Sequence, residues 1–91
     1  MNYFIWNEEK NEQLKKARNI SFEIIVSQIA MGKILDIVKH PDEKKYENQM
    51  IFIIEYESYA YLVPFVEDGE CLFLKTIIPN RKATKKYLKE L

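Results

Sequence analysis

Residues that cross-link a chain or hold a metal are almost missing from this sequence, which has one cysteine and one histidine among 91 residues. A single cysteine excludes an intramolecular disulfide and any multi-cysteine metal site. With one histidine beside it, a structural zinc site lacks ligands, and no cofactor is expected. Two glycines and three prolines argue against a loop-dominated structure. No apolar run approaches the roughly 20 residues of a membrane span. The opening Met1-Asn2-Tyr3-Phe4-Ile5-Trp6-Asn7-Glu8-Glu9 has neither a basic segment nor an apolar stretch of signal length, so the expected location is the cytoplasm, without membrane contact. Repeats, low-complexity tracts and linkers are absent too, so residues 1–91 are read as a single domain. Net charge is the last absence, because fourteen basic and fourteen acidic residues cancel. That balance weakens long-range attraction to nucleic acid but leaves room for a local basic face.

What is present is apolar and unevenly charged. Hydrophobic residues make up 47% of the chain and aromatics 13%, enough to fold around one modest core. Residues 71–91 carry six Lys or Arg and one acid, whereas residues 50–70 carry five acids and no base. The basic segment reads as an apolar strand that passes through Pro79 and Asn80 into a helix. On that helix Lys82, Lys85, Lys86 and Lys89 fall at i, i+3, i+4 and i+7 and share one face. Ala83, Thr84, Tyr87, Leu88 and Leu91 form the opposite face, suited to lie on a sheet.

The remaining elements follow from local signals. Tyr3 to Trp6 is a short β-segment, and Asn7 caps a helix that opens with Glu8 and Glu9 and runs to about Arg18. Asn19 suits the left-handed position that closes it. Ser21 caps a second helix, with Ile20 and Ile25 spaced as a hydrophobic staple. Phe22, Ile25, Val26 and Ile29 form its apolar stripe, broadened by Ile24, Ala30 and Met31, and Gly32 ends it. Strands are expected at Ile34 to Val38, Met50 to Tyr56, Tyr59 to Val66 and Cys71 to Ile78. The near-continuous apolar run from Met50 implies a central strand covered on both faces. Glu57-Ser58 and Glu67-Asp68-Gly69-Glu70 are hairpin turns, and residues 40–45 a polar loop. Pro64 cannot donate to a ladder, so a bulge or an edge is expected there. The order β-α-α-β-β-β-β-α defines an α+β domain with a mostly antiparallel sheet.

Three pieces of this order resemble the BrnT family, RelE-like ribonuclease toxins of bacterial toxin–antitoxin pairs. Phe4-Ile5-Trp6-Asn7-Glu8-Glu9-Lys10 is similar to that family's aromatic-x-Trp-Asp-x-x-Lys opening. Ile20-Ser21-Phe22-Glu23 stands at the matching distance downstream. Ile77-Ile78-Pro79-Asn80-Arg81-Lys82-Ala83-Thr84 is similar to the Ile-Ile-Ser-Ala-Arg-x-Ala-Thr that leads into the last helix. Together these pieces span almost the whole chain. The chain also departs from the pattern. Where the family has Asn-x-x-Lys-His-Gly before its Ser-Phe-Glu, this sequence has Leu14-Lys15-Lys16-Ala17-Arg18-Asn19, and Tyr87 stands where the last helix often has Glu.

The resemblance implies a RelE-like fold, with a four- to five-stranded, mostly antiparallel sheet, two N-terminal helices and one C-terminal helix. It implies a type II toxin that inhibits translation as a metal-independent endoribonuclease. Its partner would be a cognate antitoxin of the ribbon–helix–helix class, with operator DNA bound only through the complex. Ala17 and Arg18 in place of Lys and His keep a second reading open. In that reading the chain is a non-catalytic module that retains the fold and pairs with an antitoxin, or binds nucleic acid, without cleavage.

Metal-independent RNA cleavage needs a base at the 2′-hydroxyl, cations for the phosphorane charge and an acid for the leaving 5′-oxygen. Arg81, at the strand-to-helix corner, is the first candidate cation, where its fork and the free N–H groups of the helix start would meet one phosphate. Its structural alternative is an ion pair with Glu55 or Glu57. Lys10 shares a helical stripe with Leu14 and Ala17 and is a candidate cation or acid, or else a lysine whose stem covers the core. His40 is the one imidazole, a candidate base in a loop position that equally suits a solvated side chain. Lys75, Lys82, Lys85, Lys86 and Lys89 form the candidate RNA-binding surface, against the alternative of a solvated helix face. Tyr46, Tyr59 and Tyr61 are read as sheet residues rather than base-stacking platforms, and Cys71 as a core residue.

Overall fold

The computed structural model describes residues 3–88. Strand β1 (Tyr3–Trp6) precedes helices α1 (Glu8–Arg18) and α2 (Phe22–Ala30). Strands β2 (Ile34–Lys39), β3 (Gln49–Tyr56), β4 (Tyr59–Asp68), β5 (Cys71–Leu74) and β6 (Ile78–Pro79) follow, and α3 (Arg81–Tyr87) closes the described chain. The sheet order is β1-β5-β4-β3-β2, with β6 paired to β4. Every pairing is antiparallel except that of β1 with β5. The fold is therefore the α+β arrangement expected from the sequence. No helix among the described residues is long and apolar enough to cross a membrane.

Local chemistry places the helices. The Asn7 side chain accepts from the Lys10 N–H, and the Ser21 hydroxyl from the Ile24 N–H. Each satisfies one of the donors that a helix start leaves unpaired. Asn19 closes α1 at φ 55°, a left-handed position that Asn tolerates. Ile20 and Ile25, the expected staple, are both fully buried.

Helices α1 and α2 cover one face of the sheet, where Leu14, Ile20, Phe22 and Ile25 pack with Phe52, Ile54, Val63, Phe65, Leu72 and Leu74. On the other face Ile53 and Ala60 meet Ala83 of α3. Because β3 lies between these layers, Ile51, Phe52, Ile53 and Ile54 are all buried. An unbroken apolar run is what such a strand requires.

The expected last strand does not run unbroken from Cys71 to Ile78, and Pro64 explains the difference. Pro64 sits inside β4, paired with Ile51 of β3, and its carbonyl accepts from the Lys75 N–H at 2.8 Å. Along a strand a residue's N and C=O point to the same side, so the donor that Pro64 lacks is missing toward β5, not β3. Phe65 pairs with Leu74, and Leu62 with Ile78. Two residues, Val63 and Pro64, thus face three, Lys75, Thr76 and Ile77. The extra residue is a β-bulge, and it divides what would be one long partner of β4 into β5 and β6.

Two buried amides tie the helical layer together. Asn11 is fully buried in α1. Its Oδ1 accepts from the Phe22 N–H at 2.8 Å, and its Nδ2 donates to Glu23 Oε1 at 2.8 Å and to Glu8 Oε1 at 3.3 Å. The Asn11 amide is the main reason the Glu23 carboxyl lies below the ordinary carboxylate value. Gln28 of α2 donates to the Glu55 carbonyl at 2.7 Å, which pins α2 to the end of β3. Asn11→Ala would leave the Phe22 N–H buried without an acceptor, a loss of about 1–3 kcal/mol. Urea unfolding should show the midpoint fall with an unchanged slope. A midpoint equal to that of the wild type would show that water replaces the amide.

Candidate nucleic-acid and partner interface

The start of α3 is clamped to β4. Asn80 caps the helix through its side chain, which accepts from the Ala83 N–H at 2.7 Å. The Asn80 N–H donates to the Ala60 carbonyl at 3.0 Å. In return the Ala60 N–H donates to Thr84 Oγ1 at 2.9 Å, and that hydroxyl donates to the Asn80 carbonyl at 2.8 Å. The far end of α3 is bolted to β2, where the Tyr87 hydroxyl donates to Asp36 Oδ2 at 2.7 Å. The helix therefore crosses the sheet from β4 to β2 and is held at both ends.

Beside it lies a groove of about 400 Å³ with a floor of Val38, Ile51, Ile53 and Leu62 and a rim that includes Lys39, Lys82 and Lys86. No acid lines it. Branched aliphatic side chains form the floor, and its one aromatic, Tyr87, is engaged with Asp36. Such a surface suits apolar side chains with carboxylates at the rim better than stacked bases.

The expected site residues separate into three places. Arg81 is exposed at the first position of α3. It pairs with neither Glu55 nor Glu57, since the one ion pair among the described residues joins Lys15 to Glu12. Lys82 and Lys86 lie on the groove, and Lys86 Nζ also sits 5.1 Å from the Tyr87 ring centre. Lys85 is exposed and is not part of that lining. Lys89 lies outside the described residues. Lys75 is exposed in the bulge, apart from α3 in sequence and on the β4 edge.

Lys10 belongs to a second groove, of about 370 Å³, formed by α1 with the bulge and lined also by Gln13, Leu14, Ala17, Arg18, Thr76 and Ile78. His40 belongs to neither groove. Its Nδ1 accepts from the Asp42 N–H at 3.1 Å, and its ring lies 4.1 Å from that of Tyr46. The His40 N–H bonds to Gln49, which pairs with Val66, whereas Asn80 bonds to Ala60. Six residues of β4 separate those rungs, about 20 Å along the strand. His40 itself does not line the α3 groove, although its chain neighbours Lys39 and Pro41 line it together with Lys82 and Lys86.

Three side chains matter more than the sequence reading allowed. Arg18, noted there only as a departure, donates to the Ile77 carbonyl at 2.5 Å and so fixes the bulge to α1. Tyr87 anchors α3, and Asn11 joins the helices. Only Asn11 carries a local sign, a polar residue one turn before the buried Leu14. Cys71 is half-buried in β5, and Tyr59 and Tyr61 are strand residues whose rings meet at 5.8 Å.

Comparison of the chain with protein-family models, curated proteins and solved structures gives no match.

The Asp36–Tyr87 bond carries a pH signature. The Tyr87 hydroxyl, and after it the Ile37 N–H, holds the Asp36 carboxyl below its ordinary value. The same bond raises the Tyr87 phenol above its own. A carboxyl lowered by folding stabilises the fold above its unfolded pKa of about 3.9, and that gain is lost as pH falls through the folded value. A phenol raised by folding stabilises below about 10, and its gain is lost as pH rises through the folded value. Tyr87→Phe should therefore lower the Tm most between about pH 4 and pH 10, with the gap to wild type narrowing outside that window. Thermal melts across the range test this, and a gap independent of pH would show that the hydroxyl contributes only packing.

Proposed function

We propose that this chain is the toxin of a type II toxin–antitoxin pair, a metal-independent endoribonuclease that contacts RNA around the start of α3. The observation that carries the proposal is Arg81, exposed at the strand-to-helix corner with no carboxylate partner among the described residues, followed by Lys82 and Lys86 on an acid-free groove. In a chain with equal numbers of acids and bases, these neighbouring cations, none of them in a salt bridge among the described residues, repel one another, and an anionic partner would relieve that repulsion. The three sequence pieces that resemble BrnT, and the α+β order in which they occur, support the same reading.

In this reading the 2′-hydroxyl of the substrate is the nucleophile, and Arg81 stabilises charge developing on the phosphorane through two parallel N–H donors. The lysines of α3 guide the strand. A ribbon–helix–helix antitoxin, expected from the resemblance, would cover the α3 groove with an acidic, apolar segment and bring operator DNA into the complex.

One observation favours the non-catalytic reading. His40, the one imidazole, is not among the residues that line the groove with Lys82 and Lys86, and its Nδ1 already accepts from the Asp42 N–H. A module that pairs with its antitoxin without turnover would need no base near Arg81.

Expression without a partner should arrest bacterial growth, and Arg81→Ala should relieve the arrest. The purified wild type should cut messenger RNA in the presence of a chelator. Arg81→Ala should slow that cleavage by about 10²–10³-fold, the usual effect of removing one donor to a developing oxyanion. RNA left intact by the wild type, with growth unaffected and the antitoxin complex still formed, selects the binding module. Cleavage unimpaired by Arg81→Ala removes Arg81 from the site.

A further inference from the structure

The bulge opposite Pro64 leaves an unusual set of donors beside α1. Thr76 and Ile77 lie between β5 and β6, and neither N–H has a backbone acceptor among the described residues. The Ile77 carbonyl is taken by the Arg18 guanidinium, which holds that fork against the bulge at 2.5 Å with other N–H groups to spare. Lys10 and Arg18 line the adjoining groove with the Thr76 side chain, and no acid does. Lys10 has no ion-pair partner among the described residues. Lys10, Arg18 and Thr76 share one concavity of about 370 Å³, and the Thr76 N–H there has left the strand ladder. Released backbone N–H groups beside fixed cations are the elements of an anion site.

We infer that the groove between α1 and the β5–β6 bulge binds a phosphate group. Lys10 and Arg18 supply the charge, and Thr76, through its hydroxyl and its unpaired N–H, supplies neutral donors. Arg18 serves two purposes: one end of the guanidinium fixes the bulge, and the other faces the ligand. A lysine at position 18 has no fork with which to do both. The site is distinct from Arg81 and the α3 lysines, so it adds a second phosphate contact on the α1 side of the sheet. That the phosphate is an RNA diester rests on the function proposed above. A free phosphate ion or a nucleotide would meet the same donors.

The test uses the ¹⁵N-labelled full chain, titrated separately with inorganic phosphate and with a short single-stranded oligoribonucleotide. Both should shift the Thr76 and Ile77 amide resonances. Lys10→Gln should weaken both ligands about tenfold, the loss of one hydrogen bond to a charged group. It should also reduce the salt dependence of oligonucleotide binding by about 0.7 in log–log slope. Arg18→Lys, which keeps the charge, should weaken phosphate binding as well, with the Ile77 resonance displaced already in the free protein. The inference is overturned if neither ligand moves the two amides, or if a folded Lys10→Gln binds both as the wild type does. Oligonucleotide binding that shifts α3 and leaves the bulge unmoved refutes this site while the RNA reading stands. Shifts at the bulge with inorganic phosphate but no oligonucleotide binding anywhere support the site and refute the RNA reading.

Discussion

One missing hydrogen atom organises the second half of this domain. Strand β4 is central, and any strand beside it must match its donors and acceptors rung by rung. Pro64 has no N–H to offer, so the partner strand leaves the ladder there and rejoins it one residue out of step. β6 then carries the chain along the same edge of β4, to a point from which α3 can fold across the face that α1 and α2 leave uncovered. Arg18 holds the detour in place from the other layer. The strand break, the groove beside α1 and the placing of α3 all descend from a backbone donor that proline removes.

The two faces of the sheet are stabilised differently. On the α1–α2 side the main contribution is burial of branched and aromatic side chains around Phe22, Phe52 and Leu74, with Asn11 and Gln28 satisfying the few polar groups trapped there. On the α3 side the buried cluster is small, centred on Ile53, Ala60 and Ala83. A seven-residue helix is marginal alone. Its position instead depends on side chain–backbone bonds at Asn80 and Thr84 and on the Tyr87–Asp36 bond. A thinly packed, firmly pegged helix leaves open apolar surface beside its lysines, the surface to which the proposed antitoxin contact is assigned.

Sequence reasoning reached the parts that are local. Asn7, Ser21 and Asn19 mark helix ends because capping involves residues three or four apart, and β3 announces its burial by its unbroken apolar run. Pro64 signalled a bulge because proline's defect is intrinsic. The position of the break was not legible, since it depends on which residue of a later strand meets Pro64. The partners of Arg18 and Tyr87 lie 59 and 51 residues away, beyond any periodicity. The same limit applies to the candidate site. The α3 lysines were found by spacing along one helix, and Arg81 by its place at the strand-to-helix corner within the motif that resembles BrnT. That Lys10 shares a groove with Thr76, and that His40 lies outside the α3 groove while Lys39 and Pro41 line it, are facts of topology.

The parallel pairing of β1 with β5 bears on the order of assembly. Tyr3 pairs with Cys71, and Trp6 with Leu74, so this strand can find its place only when nearly all of the other strands exist. Closing so long a loop is entropically costly and slow. During synthesis the hairpins of β2, β3 and β4 can form as they emerge, while the first segment must wait. The bulge that completes the α1 groove comes from the same late stretch of chain. A molecule interrupted partway through translation would hold much of its core and neither of its two grooves, so that both surfaces arrive together, near the end of its making.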